Sequence, residues 1–191
     1  YAYAYHSLAF NAPYNIGSGS NLTWSPLPGQ AGTYYIKATN SNGCSDIKSV
    51  TVYVNPLPTA SISGTTTVCK NSASPVVTFT AANGTAPYTF TYTINGGANQ
   101  TITTSTGSSV TILASTSTVG TFNYSLVSVR DSSTSACTQS QSGTATITIN
   151  SLPTATISGT VSTCANAVNP IVTFSGANGV APYTFTYSVN G

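Results

Sequence analysis

The chain has 191 residues, with four Lys or Arg, two Asp and no Glu, for a formal net charge of +2. Charged residues make up 3% of it, against about 25% in ordinary globular proteins, so solubility must rest on hydroxyl and amide side chains. The 40% of hydrophobic residues, with 12 Tyr and 6 Phe, can fill a core and exclude the composition of a disordered chain. Lys37, Lys48, Lys70 and Arg130 form no run, which excludes a phosphate-binding surface and argues against nucleic acid or an anionic membrane as partner.

The opening Tyr1-Ala2-Tyr3-Ala4-Tyr5-His6 has neither the basic nor the Leu-rich region of a signal peptide. Nowhere is there a run of about 18 apolar residues, so no membrane insertion is expected. Further along, the chain repeats itself. Residues 86–92, Ala-Pro-Tyr-Thr-Phe-Thr-Tyr, recur letter for letter at 181–187, an offset of 95 residues. The same offset carries Pro58-Thr59-Ala60 onto Pro153-Thr154-Ala155, Ile62-Ser63-Gly64 onto Ile157-Ser158-Gly159, and Cys69 onto Cys164. A period of this length suits a small all-β domain rather than a solenoid unit.

Three parts follow from the period. Residues 1–55 read as the C-terminal part of one domain, because Gly32-Thr33-Tyr34 matches Gly120-Thr121-Phe122 and Thr51 to Asn55 matches Thr146 to Asn150. Residues 56–150 read as one complete domain. Residues 151–191 read as the N-terminal part of the next repeat, stopping at Asn190-Gly191, the counterpart of Asn95-Gly96. The chain is therefore expected to be a stretch of a longer periodic fibre.

Within the complete unit the expected elements are short strands. Val76 to Ala81 is β-branched and aromatic, and Asn83-Gly84 and Pro87 end it. Tyr88, Phe90, Tyr92 and Ile94 then share one face while Thr89, Thr91 and Thr93 share the other, the period of two that marks a half-buried strand. Asn95-Gly96 supplies a tight hairpin turn, and Gln100 to Thr103 leads away from it. Val110 to Leu113, Phe122 to Val129 and Thr144 to Ile149 follow, the last with Ala145, Ile147 and Ile149 facing inward. About seven strands with turns at short intervals predict an all-β fold: tandem immunoglobulin-like β-sandwiches. Junctions as short and Pro-bearing as Asn55-Pro56-Leu57-Pro58 and Asn150-Ser151-Leu152-Pro153 are stiff, which makes the expected array an extended rod.

Each complete unit has an early and a late cysteine. The spacing predicts a Cys69–Cys137 disulfide within the domain, with Cys44 and Cys164 pairing to cysteines outside the chain. Such a loop closure would stabilise by about 4 kcal/mol and place the protein in an oxidising, extracellular compartment. No CxxC is present and His6 is the sole histidine, so neither a metal nor another cofactor is expected.

Catalysis is not expected either. Asp46 and Asp131 fall in different units, each in what reads as a loop near a late cysteine, so no domain has the carboxylate pair that acid–base chemistry uses. The aromatic series from Tyr88 reads as core, with Tyr88 and its counterpart Tyr183, each beside a Pro, as the candidate surface contacts for a sugar ring. The Thr ladder Thr89, Thr91, Thr93 could match polysaccharide or ice hydroxyls but suits any solvent-facing strand. Asn21, Asn83, Asn99 and Asn123 stand in glycosylation sequons. Trp24, the lone Trp, reads as core or domain-edge packing.

Several of these segments together carry a resemblance. Asn55-Pro56-Leu57-Pro58-Thr59-Ala60, the early Val68-Cys69, Ala-Pro-Tyr-Thr-Phe-Thr-Tyr, Asn95-Gly96-Gly97, the closing Thr146-Ile147-Thr148-Ile149-Asn150, and Gly32 to Cys44 in the first segment resemble the PKD-like and Ig-like repeats of very large type IX-secreted surface proteins of Bacteroidota. SprB-type gliding adhesins belong to that group. The resemblance covers about residues 20–191. It implies a non-catalytic structural and adhesive region of an extracellular filament, attached at the outer membrane and serving gliding motility. It implies neighbouring repeats, surface polysaccharide or other filament chains as partners. A glycan-binding module and the stalk of a secreted hydrolase are the alternatives.

Overall fold

The computed structural model describes residues 2–5, 14–23 and 30–189, and everything assigned to them is strand, turn or irregular. His6, Trp24 and the expected turn residues Asn190 and Gly191 lie outside the described residues. The chain divides between Pro56 and Leu57 into two units.

The first unit is a four-stranded antiparallel sheet of β1 (Ala2–Tyr5), β2 (Tyr14–Gly17), β3 (Gly32–Thr39) and β4 (Ser45–Val52), in the order β2-β1-β3-β4. β3 and β4 pair from Gly32↔Val52 to Thr39↔Ser45 around a tight turn. Asn40 builds that turn, its Oδ1 accepting the N–H groups of Asn42 (3.0 Å) and Cys44 (2.9 Å).

Residues 57–150 of the second unit form a complete sandwich. Its strands are β5 (Thr59–Ser63), β6 (Thr66–Cys69), β7 (Val76–Ala82), β8 (Thr89–Ile94), β9 (Gln100–Thr103), β10 (Ser109–Leu113), β11 (Gly120–Arg130), β12 (Thr138–Ser140) and β13 (Thr144–Asn150). One sheet has the order β10-β7-β5 and the other β6-β13-β11-β8-β9, with β12 paired to the end of β11. The first strand segment lies in one sheet and its continuation, β6, crosses to the other, where it runs parallel to β13. This is an immunoglobulin-like arrangement of two facing sheets with non-sequential strand order.

The crossing between β5 and β6 turns on Gly64. Its φ is +122°, and a Cβ there would run into the Val76 carbonyl oxygen, so glycine is required on both backbone and steric grounds. At the other turn, Asn95 (φ 50°) and Gly96 (φ 70°) occupy the left-handed region that a tight hairpin needs. Asn95 also ties the hairpin to β11: its Oδ1 accepts the Asn123 N–H at 2.8 Å, and its own N–H donates to the Asn123 carbonyl at 2.9 Å.

The core lies between the sheets. Val77 and Phe79 come from one sheet; Phe90, Tyr92, Leu126, Val129, Ala145, Ile147 and Ile149 come from the other. Phe79 packs against Phe90 and Tyr92 with ring centroids 5.6 and 4.9 Å apart. Burying each such aromatic removes apolar surface equivalent to about 2–3 kcal/mol. Every residue of the core cluster lies between Val77 and Ile149, so residues 57–150 carry a complete core of their own. An irregularity of register between Leu126 and Ser128 leaves Val127 exposed and lets β11 keep its apolar side inward on both sides of the bulge.

Beyond Asn150, β14 (Thr154–Ser158) and β15 (Thr173–Ala177) pair antiparallel. Thr154↔Ala177 and Ile157↔Phe174 reproduce Thr59↔Ala82 and Ile62↔Phe79 at the 95-residue offset. The Asn178 amide meets Thr154 Oγ1 at 3.3 Å, as the Asn83 amide meets Thr59 Oγ1 at 3.3 Å. A Cβ on Gly159 would run into the Ile171 carbonyl, as one on Gly64 would meet that of Val76. The repeat is structural as well as textual.

The expected Cys69–Cys137 disulfide is overturned here. Both cysteines are free, as are Cys44 and Cys164. Cys69 pairs with Asn150 where β13 ends, next to Ile149↔Gly120 at the start of β11. The Cys137 carbonyl accepts the Asp131 N–H at 3.0 Å, just past the end of β11 at Arg130. The 11 residues of β11 separate them by about 30 Å at roughly 3.3 Å per residue, whereas a disulfide needs Cα atoms within about 7 Å.

Candidate functional site

The expected surface aromatic is not at the surface. Tyr88 is 5% exposed, its N–H donating to Thr104 Oγ1 at 2.9 Å and its carbonyl accepting the Thr104 N–H at 2.9 Å. The Ala86-Pro87 segment turns the chain so that Tyr88 heads inward with Phe90 and Tyr92, and its period-two partners carry it into the core. Tyr183 is half-buried, its ring 6.4 Å from that of Phe185. The structure does not join these two tyrosines into one site.

What the strands do bring to the surface is a lattice of hydroxyls and amides. Thr103, Thr89, Arg130 and then Thr101, Thr91, Ser128 stand side by side across β9, β8 and β11. Thr93, Ser125 and Thr144 continue it, as do Asn123 with Thr146 and Thr121 with Thr148 and Thr67. Neighbouring strands are about 4.8 Å apart and same-face residues about 6.8 Å apart along a strand, which makes the hydroxyls regularly spaced. Several brace one another: Thr89–Thr103 at 3.0 Å, Ser125–Thr144 at 3.1 Å, Thr146 Oγ1 donating to Asn123 Oδ1 at 2.9 Å. The opposite sheet repeats the pattern with Ser61, Thr80 and Ser109 in one row and Ser63, Thr78 and Thr111 in the next. The Thr89–Thr91–Thr93 ladder was visible in sequence; its lateral extension over five strands was not, because it depends on strand order.

The carboxylates are placed for structure. Asp46 lies in β4, not in a loop as its sequence context suggests, and pairs with Lys48 at 3.1 Å on an exposed surface. The Lys48 hydrogen bond and charge, with the Ile47 N–H, hold its carboxyl below the ordinary value of 3.8. Asp131 is 3% exposed. Its Oδ2 accepts the Thr85 N–H at 3.1 Å, and its Oδ1 accepts the Ser133 hydroxyl at 2.8 Å and the Ser133 N–H at 3.3 Å. Desolvation pushes this carboxyl upward, but the Ser133 hydroxyl and the N–H groups of Thr85, Ser133 and Cys137 outweigh it and hold the pKa below 3.8. Asp131 thus pins the loops at the end of the domain where Pro58 enters; a Cβ on Gly84 would lie 2.9 Å from Asp131 Oδ2 and 3.4 Å from Pro58 Cβ.

Among the described residues no group of three His, Cys, Asp or Glu side chains could hold a metal ion, and no helix is long and apolar enough to cross a membrane. In the first unit an open depression of about 460 Å³ is lined by Gly17, Leu22, Ala38, Asn40, Cys44 and Asp46 among others. A second, of about 350 Å³, lies where residues 57–150 meet the following segment, between Cys69, Asn150, Pro153, Val180, Pro182 and Tyr183. The sequon residues Asn21, Asn83, Asn99 and Asn123 are all exposed.

No family model matches the chain, and no curated protein matches it. Among solved structures it is similar to the Ca2+-stabilised adhesin that helps an Antarctic bacterium reach out and bind ice, at 16% identity and a TM-score of 0.38. That match covers 68% of this chain and 34% of the other, so the chain spans about a third of the structure it resembles.

Proposed function

We propose that this chain is a non-catalytic structural and adhesive region of a large extracellular surface filament, built from tandem immunoglobulin-like sandwiches. The observation that carries the reading is the 95-residue repeat, present in the sequence and again in strand pairing, hydrogen bonds and the glycine turn of the second copy. A repeat with its own core supplies length and surface in equal increments, which is the work of a shaft. On this reading the partners are neighbouring repeats of the same chain, other filament chains or surface polysaccharide. The protein is displayed outside the cell and attached at the outer membrane, and the resemblance to SprB-type repeats makes gliding motility the process it serves.

Contact along the shaft is assigned to the hydroxyl lattice rather than to Tyr88, which the core has claimed. Regular hydroxyls, with Arg130 as the charged group at the lattice's edge, suit a neutral polysaccharide, each domain binding weakly and the array adding effective concentration. Electron microscopy of the protein isolated from its source tests the shaft. A filament with one bead for each 95-residue repeat is expected, and a compact particle would overturn the reading. Binding to insoluble polysaccharide that rises with repeat number tests adhesion; equal affinity for one domain and for many would contradict it.

A further inference from the structure

The two cysteines of a repeat stand at opposite ends of its sandwich, and each end is a joint. Cys137 belongs to the loop at the entry end, where Asp131 meets Gly84 beside Pro58. Cys69 stands at the exit end, where Lys70 donates its N–H to the Asn150 carbonyl at 2.8 Å. Cys44 keeps the same polarity in the first unit. It closes the turn at the end of β3, the strand whose start matches that of β11.

Beyond Asn150 the entry end of the next repeat faces this exit end. The depression containing Cys69 is walled on its far side by Gly179, Val180 and Pro182. Their counterparts at the 95-residue offset are Gly84, Thr85 and Pro87, the residues that hold the late-cysteine loop in the complete domain. Thr85 donates its N–H to Asp131 at 3.1 Å and accepts the Ser132 N–H at 2.8 Å, and Asp131 in turn donates to the Cys137 carbonyl at 3.0 Å. Pro87 borders the same loop at Asp131, Ser133 and Ala136. Where a complete repeat follows, its late cysteine is delivered two hydrogen bonds from the wall of the depression that Cys69 lines.

We propose that successive repeats are joined by a disulfide between the early cysteine of one and the late cysteine of the next, giving one staple per joint instead of one per domain. The inference rests on the tandem-array reading above. The bond forms from two thiols that lose two protons and two electrons to a disulfide donor, whose own S–S bond is cleaved to two thiols. Cys69 is exposed and Cys137 half-buried, so the exchange has access to both. The staple limits bending and twisting at each joint while leaving each core untouched.

A tandem protein tests it: residues 57–151 followed by a second copy of 57–150, each copy holding the complete core described above. Incubation with oxidised glutathione is expected to lower the free thiols from about four to two per molecule, with a mass loss of about 2 Da. Cys69→Ser in the first copy abolishes the bond, and Cys69→Ser in the second copy leaves it. The single domain 57–150 keeps both thiols under the same conditions. Retention of all thiols by the tandem protein, a bond within the single domain, or links only between molecules would each overturn the proposal. Small-angle scattering of the same sample separates the two readings. An extended pair with free thiols removes only the staple, whereas a collapsed pair removes the array as well.

Discussion

Residues 86–92 and 181–187 are the same seven amino acids in two conditions. In the first copy Thr89 to Ile94 is a strand between β9 and β11, with Phe90 0% and Tyr92 6% exposed. In the second, no strand forms over 181–187, Phe185 is 36% and Tyr187 67% exposed. The aromatic contacts are nevertheless kept: Phe174 lies 5.9 Å from Phe185 and 5.5 Å from Tyr187, much as Phe79 lies 5.6 Å from Phe90 and 4.9 Å from Tyr92. Side-chain clustering therefore comes from local sequence, whereas the strand and its burial come with the flanking strands β9 and β11, whose counterparts at the 95-residue offset fall after residue 191. Strand character here is a property of the completed sheet.

The largest effect should come from breaking the buried copy and not the open one. Phe90→Ala should cost the 57–150 domain about 3–5 kcal/mol, while Phe185→Ala should leave that domain's unfolding free energy in urea within about 0.5 kcal/mol of the parent. Equal losses would show that the two copies share one environment. Gly64→Ala comes next, at about 2–3 kcal/mol, since it combines a left-handed φ with a backbone collision; Gly159→Ala meets the same collision but should not move the unfolding of the complete domain.

Asp131→Ala follows, at about 2 kcal/mol, because the Thr85 and Ser133 N–H groups and the Ser133 hydroxyl lose a charged acceptor at the entry end. Its folded pKa is lowered, so its contribution is present above the ordinary value of 3.8 and is lost as pH falls through the lower folded value. Residues 57–150 contain no other carboxylate side chain and no histidine, so unfolding midpoints should be flat from about pH 5 to 8 and fall below about pH 4, with the fall missing in Asp131→Ala. The smallest effect belongs to Asp46→Asn in the first unit. The Asp46–Lys48 pair is exposed, and thermal unfolding in low and high salt should show no difference between variant and parent.

Much of the complete domain was legible in sequence because alternation reports which face is buried. Phe90, Tyr92, Ala145, Ile147 and Ile149 are all inward as the pattern requires, and Asn95-Gly96 is the turn it promised. The segments 59–63, 66–69 and 138–140 carry no clear strand pattern, being short and rich in Ser and Thr. Their pairing is settled by partners far away in the chain, as with β6 beside β13. The cysteine pairing is illegible in sequence for the same reason. Spacing suggested a pair within the unit, but the strand order that sends Cys69 to one end and Cys137 to the other is non-local. For Tyr88 the neighbouring proline suggests a rim position, whereas the chain turns inward directly after Pro87 and buries the ring.

The 95-residue unit is a self-contained sandwich in which β8 depends on its neighbours β9 and β11. Hydrogen exchange on a protein of residues 1–191 tests this, by comparing amides of Thr89 to Tyr92 with those of Thr184 to Tyr187. Protection approaching that of global unfolding is expected in the first set and rapid exchange in the second. Equal protection of the two identical segments would contradict it.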